Sequence, residues 1–357
     1  MDKIVDGSPM TESDPSAEWA LLAPSEETLE FVGSARAQFS SLFPTSVIRT
    51  IAEGGPAPME HWTDLVDQGY LAVGMPEQSG GIGTLADLVT VLEEAGHALL
   101  PLPLLASAAS AHTLLRAGFD ADSLDDAPSA LAVSTDPSDV LIALDAAHAA
   151  TVTVVSATLG GVVIERIAAT AQPAAPRDPI DPTRPLVTLE RGAVLDRRAL
   201  SDVTVDDVLA AARVCVAADL LGTATLALEG ATEHAKRREQ FGRPIGSFQS
   251  VKHQIVDGYI SIERARSLTL GAAAELVTHP FSATGTELSL LAKAAASDAA
   301  TGAVALHTQL LGAMGLTYES DNHLAVRRAQ QTAGYLGTAS DLYARTAALI
   351  LDRSARG

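Results

Sequence analysis

The sequence predicts a mostly helical chain with a central β module: an N-terminal helical domain, a small middle β-domain and a C-terminal four-helix bundle. Three observations carry this. Apolar residues recur at helical spacing from residue 25 to about 120, and again from Thr204 onward. Between them lie short β-branched runs, TVTVVS (151–156), GGVVIERI (160–167) and PLVTLERG (185–192), with turn residues between them. PAAPRDPIDPTRP (173–185) carries five prolines and reads as a loop within that module.

In chain order, residues 1–25 are polar and acidic and read as a flexible tail. The N-terminal helical domain is placed at 26–125. Ser25, Glu26 and Glu27 suit a helix start, because side-chain oxygens and acids complement the exposed amides of the first turn. GYLAVGMPEQSGGIG (69–83) interrupts the helical pattern with glycines. Leu85, Leu88, Val89 and Leu92 then resume it on one stripe. The β-domain is placed at 126–203 and the bundle at 204–357. Thr204 and Asp207 form a capping-box-like start, followed by Val216, Leu220, Ala224, Ala227 and Ala231 on one helix. A second long helix carries Val251, Ile255, Ile262 and Thr269 on one face. Two more are expected at 286–311 and 339–353.

Composition limits the function. Apolar residues make up 47% of the 357, enough for a substantial core, and the formal charge is −20. So acidic a chain lacks the basic face that nucleic-acid binding needs, and no nucleic-acid partner is expected. One cysteine, Cys215, permits no internal disulfide and fits a reducing cytoplasm. The N-terminus is not a signal peptide, and the uncharged stretch 98–115 is broken by Pro101 and Pro103, so no membrane span is expected. Nine histidines without paired spacing give no metal site. His97, His112 and His307 read as satisfied surface or core residues. SGGIG is too short for a dinucleotide fingerprint.

The most basic stretch is KRREQFGRPIGSFQ (236–249). Lys236, Arg237 and Arg238 read either as a solvated helix C-terminus, complementing the dipole, or as a fork for an anion. Gly242 and Pro244 force a tight turn before Phe248-Gln249 opens the next helix. Two helix ends and the cations thus share one corner, which suits a pyrophosphate.

REQFGRPIGSFQ, followed by QLLGAMGLTYESDNHLAVRRA, resembles the C-terminal domain of the acyl-CoA dehydrogenases. The resemblance spans about residues 26–357, weakly before 204. It implies that family's helical, β and four-helix-bundle domains, an oligomer, FAD, and α,β-desaturation of an acyl-CoA thioester. It also implies an ADP-binding face for a neighbouring subunit's FAD at Arg238, Gln240, Phe241, Phe248, Gln249, Gln309, Gly312 and Ala313, where Ala313 replaces a family glycine.

The sequence departs from the family at the chemistry. The family's catalytic glutamate falls on Leu336 in GYLGTAS, 21 residues after Gly315, with Tyr335, Gly337 and Thr338 matching. A minority of the family places the glutamate before an arginine in the first bundle helix; Arg213 fits that arginine and a substrate-binding role, but Ala212 precedes it. Of the local acids, Glu239 reads as a paired surface residue and Asp219 as a speculative base. Between Phe119 and Phe241 there is no aromatic residue, so the β-domain offers a flavin ring little to stack on, and VSTDPSD (133–139) is only a faint echo of the family's flavin segment. The expectation is a chain without its own flavin pocket or base, catalytically silent. It would complete FAD for a second, catalytic acyl-CoA dehydrogenase subunit that passes electrons to an acceptor. This resembles some bacterial acyl-CoA dehydrogenases in which two different subunits form a heterotetramer with half the usual flavins, and that resemblance implies a sterol side-chain CoA as substrate. The alternatives are a self-sufficient homo-oligomeric enzyme using Asp219, and a non-enzymatic scaffold.

Overall fold

The computed structural model describes residues 26–356, apart from 122, 123, 125, 135–139 and 170–178. The expected tail, most of VSTDPSD and the first half of the proline-rich segment lie outside the described residues.

The first 116 residues supply helices α1 (Glu26–Leu42), α2 (Thr45–Ala52), α3 (Trp62–Asp67), α4 (Leu85–His97) and α5 (Leu104–Arg116). The Asp87 carboxylate accepts from the Thr84 amide and hydroxyl, fixing the start of α4. The expected stripe Leu85, Leu88, Val89 and Leu92 is buried.

Six strands follow: β1 (Ser129–Ser134), β2 (Leu141–Leu144), β3 (Thr151–Thr158), β4 (Gly161–Ala168), β5 (Leu186–Leu189) and β6 (Val194–Ser201). One sheet has the order β1-β3-β4-β6, with β1 and β3 parallel and the other pairs antiparallel. β2 and β5 form a separate antiparallel pair. Side chains alternate between two cores. Ala130, Ala132, Val152 and Val154 meet Leu141, Ala143 and Val187 of the small pair. Leu131, Val155, Val162 and Ile164 face the main helical core. β3, β4 and β5 match the β-branched runs. β1, β2 and β6 were not evident in the sequence: four of the six residues of β1 are alanine or serine, and β6 is exposed along nearly its whole length, so neither shows an apolar alternation.

The Thr204–Asp207 capping box opens a short helix, α6 (Val205–Val208), and α7 (Ala210–Arg237) follows. A two-residue hairpin, β7 (Glu239–Gln240) with β8 (Arg243–Pro244), leads to α8 (Gln249–Thr278). Then come α9 (Ala283–Leu311), α10 (Asn322–Gly334) and α11 (Ala339–Arg356). The four helices expected by periodicity are α7, α8, α9 and α11. α10 is an addition, and its inward face explains why: Asn322, Arg328, Gln331 and Thr332 are buried beside Leu324, Ala325 and Ala329, so no apolar stripe marks it.

α7 is buried on nearly every side. It is the one described helix long and apolar enough to cross a membrane, and 89% of its most apolar window is buried within the protein. α4 crosses it at backbone contact. A Cβ on Gly96 would come within 2.0 Å of the Asp219 carbonyl oxygen, and one on Gly222 within 1.9 Å of that of Glu93. Only glycine at both positions allows this approach, which locks the N-terminal helices onto the bundle.

Candidate functional site

Two regions gather the residues singled out by sequence. The first is one end of the bundle. α7 ends there, α8 begins there, and α9 ends beside them, with the His307 ring against Gly230 and a hydrogen bond between His234 and the Leu310 backbone. Arg238 caps the C-terminus of α7 and is exposed. Phe241 occupies the left-handed region at φ 55°, which turns its ring outward to 92% exposure. It meets Phe248 edge-on at 6.1 Å, and the Arg243 guanidinium covers the Phe248 ring at 4.1 Å. Gln240 is exposed and donates to the Glu239 carbonyl at 2.8 Å, while Gln249 sits in the first turn of α8 against His253. Gln309, Gly312 and Ala313 are exposed at the end of α9, where Gly312 turns the chain at φ 64°.

Two of the three consecutive cations serve the helix rather than a ligand. Lys236 pairs with Glu233 at 2.6 Å, and Arg237 donates to the Glu233 carbonyl. The helix-terminus reading therefore holds for Lys236 and Arg237, while Arg238 extends beyond the helix end, exposed. Glu239, expected to be paired, is exposed and forms no ion pair among the described residues.

The second region is a cavity of about 760 Å3 between the β module and the α10–α11 turn. Val133, Ile142, Leu186, Leu209, Tyr335 and Leu336 are among its walls. Space therefore remains where the sequence led us to expect none. What the cavity lacks is chemistry. Among the described residues no carboxylate lines it, and its one aromatic side chain, Tyr335, has its hydroxyl committed to the Leu131 carbonyl at 2.8 Å. Leu336 stands at φ 57°, half-buried, and its carbonyl accepts from Arg213 Nε at 3.3 Å. Two positions 123 residues apart are thus brought together. Arg213 also donates to the Asp206 carboxylate at 2.6 Å and to the Asp206 carbonyl at 3.2 Å, so all three of its nitrogens are occupied. Ala212 is fully buried and does not reach the cavity.

Asp219 is not placed to act as a base. It is wholly buried and paired with Arg184 at 2.7 Å, away from the cavity wall. Arg184 also faces Asp145 at 3.4 Å, and burial pushes the Asp145 carboxyl up to about 7. A second buried pair, Arg328 with Asp181 at 2.5 Å, lies alongside, and Arg328 also donates to Thr183 Oγ1 and the Leu99 carbonyl. Gln331 links the two pairs, accepting from the Asp181 amide at 3.0 Å and donating to the Arg184 carbonyl. Lys293 is buried too. It donates to the Ala333 and Gly337 carbonyls at 2.5 Å each, holding the turn around Leu336, and burial pulls its pKa down to about 7. Of the histidines, His97 pairs with Glu229 at 2.9 Å. His307 is half-buried, and burial lowers its pKa. His112, expected to be satisfied, is buried with no partner for Nε2 among the described residues, and burial pulls its pKa down to about 4.

Family models for the acyl-CoA dehydrogenase N-terminal and C-terminal domains match residues 25–122 and 203–351. The acyl-CoA dehydrogenase IpdE2 of Mycobacterium tuberculosis is 34% identical over 290 residues, covering 80% of this chain and 84% of that protein. This chain belongs to the acyl-CoA dehydrogenase family.

Solved structures agree with this family fold. The structure described as "Tcur3481-Tcur3483 steroid ACAD G363A variant" superposes with a TM-score of 0.79 at 26% identity, over 92% of this chain and 99% of that one. A chain of the ChsE4-ChsE5 complex from Mycobacterium tuberculosis matches with a TM-score of 0.76 at 22% identity, over 92% and 98%. Acyl-CoA dehydrogenases are FAD-dependent oxidoreductases, and the two regions of this chain differ in their fit to that cofactor. The bundle end fits the ADP half: it offers an exposed guanidinium, a paired-ring platform and a backbone turn at Gly312 open to close approach. The cavity fits the flavin ring poorly, since among the described residues Tyr335 is its single aromatic wall. Sequence reading missed Arg243, although it lies inside the quoted motif, because its stacking on Phe248 needs the hairpin. It also missed Asp206 and Arg345 at the cavity and the Arg184–Arg328 network, which only tertiary contact assembles.

Proposed function

We propose that this chain is the FAD-completing, non-catalytic subunit of a hetero-oligomeric acyl-CoA dehydrogenase. The observation that carries the reading is Leu336, at the family's glutamate position, in a cavity with no carboxylate wall among the described residues. Desaturation needs a base for the proton α to the thioester, and FAD, when bound, accepts the hydride from the β carbon. This chain supplies no base but retains the ADP corner: Arg238, Gln240, Phe241, Phe248, Gln249, Gln309, Gly312 and Ala313 would hold the adenine and pyrophosphate of a flavin whose ring lies in the partner.

An uncovered surface supports a partner at that corner. Val256, Tyr259 and Ile260 on the first half of α8 are more than half exposed, as are Leu316 and Tyr318 after α9, and Phe241 stands almost free. Apolar groups gathered at one end of a bundle mark an interaction face. The partner is a catalytic acyl-CoA dehydrogenase subunit that binds the acyl-CoA and hands electrons to an acceptor, and the setting is the cytoplasm. The described likeness to a steroid acyl-CoA dehydrogenase favours a sterol side-chain CoA as substrate.

Purified alone, the chain should be colourless and inactive, and it should gain flavin absorbance when co-expressed with the catalytic subunit. A yellow, active protein purified alone would overturn the proposal. A chain that stays colourless with every family partner would leave only a scaffold role.

A further inference from the structure

The cavity beside Leu336 has the dimensions of a ligand site, since pockets for small molecules run from about 300 to 1,000 Å3, and it encloses about 760 Å3. Its walls are largely aliphatic: Val133, Ile142, Leu186, Val205, Leu209 and Leu336. Ser134, Gln330 and Gln331 line it too, and Arg213 and Arg345 bring charge. Asp206 Oδ1 accepts from Arg213 at 2.6 Å and from Arg345 at 2.8 Å, so two guanidiniums share a single carboxylate. Arg213 has no nitrogen left over. Arg345 lines the same cavity, is half exposed and uses only Nη1, which leaves its Nη2 and Nε donors available.

An aliphatic chamber with one under-used guanidinium at its rim complements an apolar body carrying a single anionic head. Bidentate pairing suits a carboxylate in particular, because guanidinium and carboxylate are both planar and present two parallel hydrogen bonds. A flavin ring would find hydrogen-bonding groups here, Ser134 and Gln330 among them, but Tyr335 is the single aromatic side chain among the described lining residues. A neutral thioester carbonyl could accept one hydrogen bond from Arg345 but would leave its charge unmatched.

We propose that this cavity is a non-reacting binding site for an apolar carboxylate, with the hydrocarbon body between the β module and the α10–α11 turn and the head group on Arg345. The proposal rests on the silent-subunit reading to this extent: with leucine at position 336, a bound acid stays unchanged. The site would let the assembly sense free acid, the hydrolysed form of a thioester, without consuming it.

Titration calorimetry on the full-length chain tests this, with dodecanoate, dodecan-1-ol and dodecanoyl-CoA as probes. Dodecanoate should bind saturably at one per chain. Arg345→Ala should weaken dodecanoate about tenfold or more, the scale of a lost charge-assisted contact, while leaving dodecan-1-ol within about twofold. Ala157→Phe and Ile142→Trp fill the cavity from two different strands and should each abolish both, with circular dichroism confirming that at least one of them folds as the parent does. Absence of saturable binding overturns the proposal. So does dodecanoate binding that survives the filling variants, that ignores Arg345→Ala, or that is replaced by a preference for dodecanoyl-CoA. Flavin absorbance and dehydrogenase turnover of the same sample separate the two readings. A yellow, active chain sinks the silent-subunit reading, whereas a colourless chain that fails to bind dodecanoate sinks only this one.

Discussion

At the scale of single residues, function divides between Arg238 and Leu336. Arg238 lies beyond the helix end that Lys236 and Arg237 complete, and its guanidinium is exposed. Arg238→Ala should lower the flavin content of the assembled complex, because a charge-assisted contact to pyrophosphate contributes about 1.5–3 kcal/mol. Unchanged flavin per complex would show that the pyrophosphate lies elsewhere. Leu336 shows the converse. Its backbone is held by Arg213 and by Lys293 through the neighbouring carbonyls, so the position survives although the glutamate does not. Leu336→Glu in the isolated chain should yield no desaturation of any acyl-CoA, since the described residues give the cavity no aromatic wall besides Tyr335. Turnover by that single variant would contradict the reading of the cavity.

At the scale of elements, α10 and the 179–185 segment are clasped by buried charge. Arg328 and Asp181 are both nearly inaccessible, and removing one member of such a pair strands the other in a low-dielectric interior. Arg328→Met should destabilise the chain by about 3–5 kcal/mol in denaturant unfolding. Arg328→Met with Asp181→Leu should recover part of that loss, since paired apolar replacement relieves the stranded carboxylate. The same elements mark the limit of what could be read in advance. α4, α7, α8, α9 and the three β-branched strands were legible because each buries an apolar stripe; α11 was expected too, although only Leu342 and Thr346 of its described residues are buried. α10 buries arginine, glutamine and asparagine, and β1 and β6 bury alanine or almost nothing, so hydrophobic periodicity passed over them. The site was legible in the same uneven way. Contiguous motifs placed the bundle corner and the missing base, whereas Asp206, Arg345 and Arg184 acquire meaning only from partners far away in sequence.

At the scale of the whole molecule, the clasp also sets a pH response. Burial, the largest influence on Asp145, raises its carboxyl from about 3.8 to about 7, against the opposing pull of Arg184. Between those values the folded chain keeps a proton that the unfolded chain has released. This contribution to stability therefore falls as pH rises from about 4 to 7 and is level above that. Compared with Asp145→Asn, the parent chain should lose stability across this window in thermal melts at stepped pH. A constant difference between the two would refute the assignment. The clasp has a further consequence for how the chain comes into being. It joins Leu99, Asp145, residues 181–184, Asp219 and Arg328: the Arg184 pairs can close once Asp219 has been made, whereas the Asp181 pair waits for α10. During synthesis, Asp181 must wait for a counter-ion that leaves the ribosome about 150 residues later. A growing chain that has not yet made α10 therefore holds Asp181 without this partner.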